Sequence, residues 1–132
     1  MSLLLLDTTF LIDAERRKSA LDELVDDDDD VAIAAITIAE LLVGTKLASG
    51  KRRAAREAYV EDIVSSLPIV AYDTVVAFSH AELLAAVRRD RRPRGAHDLI
   101  IAATARATNR TVVTADATGF RDLPGVTVRD SR

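Results

Sequence analysis

The sequence predicts an α/β protein built on a parallel sheet, and three observations carry that expectation. Short apolar runs alternate with longer stretches at helical spacing along the chain, the pattern of strand–helix units. The run at Leu3–Leu6 is uninterrupted, as expected of a strand covered on both faces. With 132 residues, 48% of them hydrophobic, the chain is long enough to bury its own core, so one domain over residues 1–132 is expected.

Residues 2–6 form the first expected strand, which ends at Asp7. Residues 8 to about 17 read as helix, with Phe10, Leu11 and Ala14 at helical spacing. A second helix over roughly residues 20–25 stops in the acidic run 26–30. Five adjacent carboxylates repel one another and oppose a helix carboxyl end, so that run should be a solvated turn. The next strand covers residues 31–36. Thr37 opens a helix through about residue 48, and Ser49-Gly50 closes it. A basic-then-apolar helix follows over 51–66, then a third strand over 68–72. Asp73 caps a long helix over 74–89, which runs into the basic stretch 91–95. Residues 96–108 form the last helix. Strands over Thr111–Thr114 and 126–128 complete the chain, joined through turns at Gly119 and Pro124-Gly125. The expected fold is therefore five parallel strands with helices on both faces. Sites in such sheets lie beyond the carboxyl ends of the strands, where strand order reverses.

Composition removes several classes of function. The chain has no cysteine, hence no disulfide framework, thiolate zinc site or cysteine nucleophile. Aromatic residues make up 4%, too few for a surface that stacks successive bases. No apolar run approaches the ~20 residues of a membrane span or forms a signal-peptide core, so a cytoplasmic protein without a membrane partner is expected. A net charge of −3 leaves nucleic-acid binding to local patches.

Four acids stand where such a sheet can gather them. Asp7 follows the first strand, and Asp116 lies just beyond Thr114. Glu40 falls in the first turn of the helix after the second strand, and Asp98 in the first turn of the helix feeding the fourth. Each has an ordinary alternative when taken alone. Thr37-Ile38-Ala39-Glu40 fits a capping box, Asp98 suits a helix amino end, and Asp7 and Asp116 suit turns or caps. Together they ask for more. Two unit charges 4 Å apart repel by about 4 kcal/mol at an effective dielectric near 20. A pocket of four carboxylates therefore calls for a cation or for raised pKa values, and all-oxygen ligands favour Mg²⁺ or Mn²⁺ over Zn²⁺.

The same residues carry a resemblance. The segments Leu4-Leu5-Leu6-Asp7-Thr8-Thr9-Phe10-Leu11-Ile12-Asp13, Thr37-Ile38-Ala39-Glu40-Leu41-Leu42-Val43-Gly44, His97-Asp98-Leu99-Ile100-Ile101-Ala102-Ala103-Thr104-Ala105 and Val112-Val113-Thr114-Ala115-Asp116 resemble the PIN-domain nucleases, in the family's order and over essentially the whole chain. The small size resembles the VapC toxins of toxin–antitoxin pairs in particular. The resemblance implies a PIN-like fold and assigns Asp7, Glu40, Asp98 and Asp116 to an acidic metal-binding cluster. It implies Mg²⁺- or Mn²⁺-dependent cleavage of RNA, leaving 5′-phosphate and 3′-hydroxyl ends. It further implies a homodimer and a VapB-type antitoxin that fills the active-site groove, with operator DNA reached only through the antitoxin. Two positions depart from the pattern. Thr9 stands where Ser or Asn is frequent, and Gly119 stands where many members carry an acid, which leaves Asp116 as the fourth carboxylate.

Asp7 and Asp98 are the expected direct ligands, with Glu40 and Asp116 completing the set directly or through water; one metal or two is left open. Thr8, Thr9 and Thr114 are candidates to orient acids or bind a phosphate oxygen, against the alternative of ordinary capping and strand propensity. Of two basic groups, Lys51, Arg52, Arg53 and Arg56 read as a solvated helix face. Arg88, Arg89, Arg91, Arg92 and Arg94 precede the Asp98 helix, which makes Arg92 and Arg94 the candidates for phosphate contacts. His97 receives no role, since adjacent helix residues point about 100° apart; Asp13, on the first helix beyond the motif, reads as solvated or as a support behind the ligands, and His80 as structural. A phospho-accepting receiver is a poor alternative, because Lys occurs only at 18, 46 and 51 and none ends a late strand. The remaining alternative is a PIN-like module that binds RNA or protein without cutting.

Overall fold

A strand with neighbours on both sides and helices on both faces needs apolar residues at every position, and the leucine run near the amino terminus takes that place. In the computed structural model, which describes residues 1–19, 23 and 25–131, five strands form one parallel sheet. They are β1 (Leu3–Leu6), β2 (Asp30–Ala34), β3 (Ile69–Val70), β4 (Thr111–Thr114) and β5 (Val128–Asp130), in the order β3-β2-β1-β4-β5. Leu5 pairs with Ala32 on one side and Val112 on the other. Strand order reverses at β1, so Asp7 leaves the sheet at the switch point.

Alternation along β1 divides the core in two. Leu5 faces a cluster with Ala32, Ala34 and Val112, closed by α4 (Thr74–Asp90) and α5 (Ala96–Ala107) through Val76, Leu83, Leu99 and Ala102. Leu4 and Leu6 face the other way with Ile33 and Val113. There they meet Phe10 and Leu11 of α1 (Thr8–Arg16), Leu41 of α2 (Ala35–Leu47), and Val60 and Ile63 of α3 (Gly50–Ser66). Leu4, Leu5 and Leu6 are wholly buried, each contributing about 1.5–3 kcal/mol.

Several boundaries differ from expectation. The second helix begins at Ala35, with Ala34 as a cap that makes no side-chain hydrogen bond; Thr37 is not its cap but lies inside it, fully buried. Gly50, at φ 58°, opens α3 after Ser49 rather than closing α2. β3 is reduced to two residues, because only Ile69 and Val70 find partners, Ile33 and Ala34, and the chain then leaves the edge for the Asp73 cap. β5 sits two residues later than the apolar pair Val126–Val128 suggests, since Val128, Arg129 and Asp130 are the residues in register with β4. Arg129 and Asp130 are exposed, as an edge strand permits. The acidic run turns at 26–29, but Asp30 already belongs to β2 and pairs with Arg110 at 2.9 Å. The helix expected over residues 20–25 lies, apart from Glu23 and Val25, outside the described residues.

Candidate active site

Asp7 is built into the fold before any chemistry is asked of it. It caps α1, accepting a hydrogen bond from the Phe10 amide at 2.8 Å. The Thr9 hydroxyl lies 2.9 and 3.0 Å from its two oxygens, and the Thr114 hydroxyl donates to Oδ2 at 2.7 Å. With 1% of its surface exposed, its carboxyl is pushed above the ordinary value, chiefly by burial. Hydrogen bonds from Thr114, Phe10 and Thr9 oppose that rise, and the charge of Asp98 adds to it. Thr114 also accepts from the Asp116 amide at 3.0 Å, and Thr9 from the Ala115 amide at 3.2 Å, so these two hydroxyls join β1, α1 and the loop after β4.

Glu40 does not close a capping box. It sits in the second turn of α2, where the Thr8 hydroxyl donates to Oε1 at 2.7 Å and His97 Nδ1 lies 3.3 Å from Oε2. Thr37 Oγ1 is 3.3 Å from the same Thr8 hydroxyl, inside the core. His97 is thus a site residue that sequence reasoning left without a role; its partner comes from another helix, and no local spacing signals such a contact.

Asp98 stands in the first turn of α5 against two glycines. Its Oδ2 is 3.3 Å from where a Cβ on Gly95 would sit, and a Cβ on Gly119 would overlap it outright. The Asp98 carboxylate thereby occupies the space that a side chain at 119 would take. Burial raises its pKa most, the charges of Glu40 and Asp116 raise it further, and His97 acts in the opposite sense. Asp116 caps the short 3₁₀ turn Ala117–Gly119, accepting from the Thr118 hydroxyl at 2.6 Å.

All four acids therefore act on one another or share partners at the carboxyl end of the sheet. They are not, however, a closed chelate. Among the described residues, the only three carboxylates that bring one oxygen each within 4.8 Å of one another are Asp26, Asp28 and Asp29, at the opposite end. A groove of about 500 Å³ opens beside Asp116, lined by Thr9, Ile12, Asp13, Arg16, Ala115 and Asp116. A larger apolar hollow of about 600 Å³, bordered by Leu6, Ala14, Val31 and Leu67, is reached by none of the four.

Of the expected phosphate contacts, Arg94 donates to the Gly119 carbonyl at 3.3 Å, which brings it to the loop that packs on Asp98. Arg92 and Arg94 both border a crevice with Asp90 and Asp122, which none of the four acids lines. Asp13 pairs with Arg17 at 3.1 Å, and the Tyr72 hydroxyl lies 2.8 Å from His80 Nδ1. Arg56 is half-buried with its guanidinium 2.8 Å from the Cβ position of Gly44. A glycine inside a helix costs about 1 kcal/mol, and that cost was the available signal of a close approach at this point.

Residues 4–126 match the PIN domain family. The chain is 31% identical over 100 residues to the tRNA(fMet)-specific endonuclease VapC of Salmonella typhimurium, covering 76% of this chain and 74% of that one. It is 27% identical over 126 residues to the ribonuclease VapC of Rickettsia bellii, covering 95% and 93%. The fold superposes with a TM-score of 0.87 on a chain of the DNA-bound VapBC crystal structure from Salmonella typhimurium, at 27% identity and with full coverage of both chains.

Proposed function

The chain belongs to the PIN-domain family, in its VapC-type branch, and on that premise we propose that it is a Mg²⁺- or Mn²⁺-dependent endoribonuclease, the toxin of a VapBC-type pair. The observation that carries this reading is the environment of Asp98, whose carboxylate is packed against Gly119 and raised in pKa by Glu40 and Asp116. Nothing in the fold requires like charges to be collected there, and a divalent cation relieves their repulsion. The donor set, carboxylate oxygens with neither thiolate nor a committed imidazole, fits a hard cation. Asp98, Glu40 and Asp116 with Asp7 would hold it. When bound, such a cation supplies charge neutralisation at the phosphodiester and an acidified water for attack on phosphorus.

The protein's own side chains do the positioning. Thr9 and Thr114 fix the plane of the Asp7 carboxylate, while Thr8 and His97 hold the two oxygens of Glu40. Gly119 and the Arg94 contact set the distance between Asp98 and the loop carrying Asp116. Thr8, Thr9 and Thr114 thus support acids in this reading, and Arg94 faces the substrate side. The chain acts as a single domain over residues 1–132, in the cytoplasm and as a homodimer. A cognate VapB-type antitoxin restrains it and carries any contact with operator DNA. Support for the antitoxin comes from the likeness to the VapBC complex. Among the described residues no helix is long and apolar enough to cross a membrane.

The test is cleavage of total cellular RNA by partner-free protein with Mg²⁺, Mn²⁺ or EDTA, beside Asp98→Asn. Discrete, metal-dependent fragments absent from the variant are expected. No cleavage by demonstrably partner-free protein in any metal would replace the reading with a non-catalytic binding module.

A further inference from the structure

We propose that Arg16 and Arg56 form a phosphate-binding subsite beside the acidic cluster, one that grips the RNA backbone next to the bond being cut; the assignment rests on the ribonuclease reading. Thr9, Ile12, Asp13 and Arg16 are spaced i, i+3, i+4 and i+7 on α1, so they share one face of that helix. That face borders the groove of about 500 Å³ that also contains Asp116. Arg16 ends it, roughly 10 Å along the helix axis from Thr9.

On its other side Arg16 borders a smaller hollow of about 100 Å³, shared with Glu40, Gly44 and Arg56. Arg56 reaches this hollow across Gly44, where the missing side chain leaves room for the guanidinium. Its neighbours in the basic stretch, Lys51, Arg52 and Arg53, are exposed, and Arg53 is paired with Glu57. Two arginines from different helices therefore meet at the border of the acidic cluster.

Their charges are not consumed there. Neither has an ion pair among the described residues, whereas Asp13 is paired with Arg17 and Glu40 with His97. A polyanion approaching four carboxylates is repelled, and the guanidinium fork is the side-chain group best matched to a phosphate oxygen pair. The two arginines supply that attraction on the α1–α3 flank.

The experiment is fluorescence anisotropy of a labelled, short single-stranded oligoribonucleotide, in Mg²⁺ and across a salt series, with Asp98→Asn as the slow-cleaving parent. Into it go Arg16→Gln, Arg56→Gln, the pair, Arg56→Lys, and Lys51→Gln as a charge-matched control on α3. The double variant is expected to bind about tenfold more weakly, with a log–log salt slope shallower by about 0.7 for each phosphate no longer neutralised. Arg56→Lys keeps the slope and loses part of the affinity, and Lys51→Gln behaves as the parent. Arginine variants that bind like the parent, or a control that weakens binding equally, overturn the subsite and leave the nuclease reading standing. A parent that binds no RNA also overturns it, and wild-type protein that then cuts none takes the nuclease reading with it.

Discussion

Two groups of carboxylates stand at opposite ends of the same sheet, and they differ in everything except charge. At the amino ends, Asp26, Asp28 and Asp29 bring one oxygen each within 4.8 Å of one another, yet Asp26 and Asp28 are exposed. Asp29 is taken by the amides of Ser2 and Asp26, and Asp28 lies 3.6 Å from the terminal ammonium. At the carboxyl ends, Asp7, Glu40, Asp98 and Asp116 are more widely spread, but Asp7 and Asp98 are drawn out of water and raised in pKa. Proximity alone therefore does not distinguish a reactive cluster from a solvated turn. Water and backbone amides satisfy the first group; in the second, threonine hydroxyls hold Asp7, Glu40 and Asp116, and Asp98 is packed against Gly119.

The sharpest way to break this contrast is Asp98→Asn. RNA cleavage should fall by about 100-fold or more, a loss of the order seen when a metal's surroundings are altered. Unchanged cleavage of a defined RNA by the variant would erase the distinction between the two acid groups. Next comes Gly119→Ala, whose methyl must displace the Asp98 carboxylate. Activity should drop about 10- to 100-fold and stability by about 1–3 kcal/mol, read from initial rates and urea melts.

A third test uses pH. Both Asp7 and Asp98 have raised folded values, so each favours the fold fully below its ordinary pKa and loses that contribution as pH rises through the raised one. Metal-free wild type should therefore match Asp98→Asn in thermal melts near about pH 4 and fall a few degrees below it by about pH 8. Mg²⁺ should close the gap; a gap that opens toward acid instead would reverse the assignment. The smallest effect belongs to the other end. Replacing Asp26, Asp27 and Asp28 together by Asn should leave cleavage within about twofold and stability within about 0.5 kcal/mol, measured side by side with wild type.

Much of this contrast is legible in the residues. The leucine run, the Asp73 cap and the strand Thr111–Thr114 follow from local pattern, because each is decided by burial or by one side chain and one amide. The slipped β5 and the shortened β3 depend on pairing with a neighbouring strand, which apolar residues alone do not reveal. At the site, the four acids can be picked out, but not their partners. Glu40 looks like a capping-box acid until α2 is seen to start at Ala35, which leaves its carboxylate to Thr8 and His97. Those contacts join α2 to α1 and α5, and nothing local encodes them.

One tie has a consequence for the order in which the molecule comes into being. Asp7 leaves the ribosome early, whereas the Thr114 hydroxyl that fixes it, and Asp116 and Gly119 beyond, belong to the last elements made. Until β4 docks beside β1, the carboxyl end of the first strand has neither its hydroxyl clamp nor its fourth acid. A chain stalled before Thr111 thus has the first acid in place and no assembled acidic cluster.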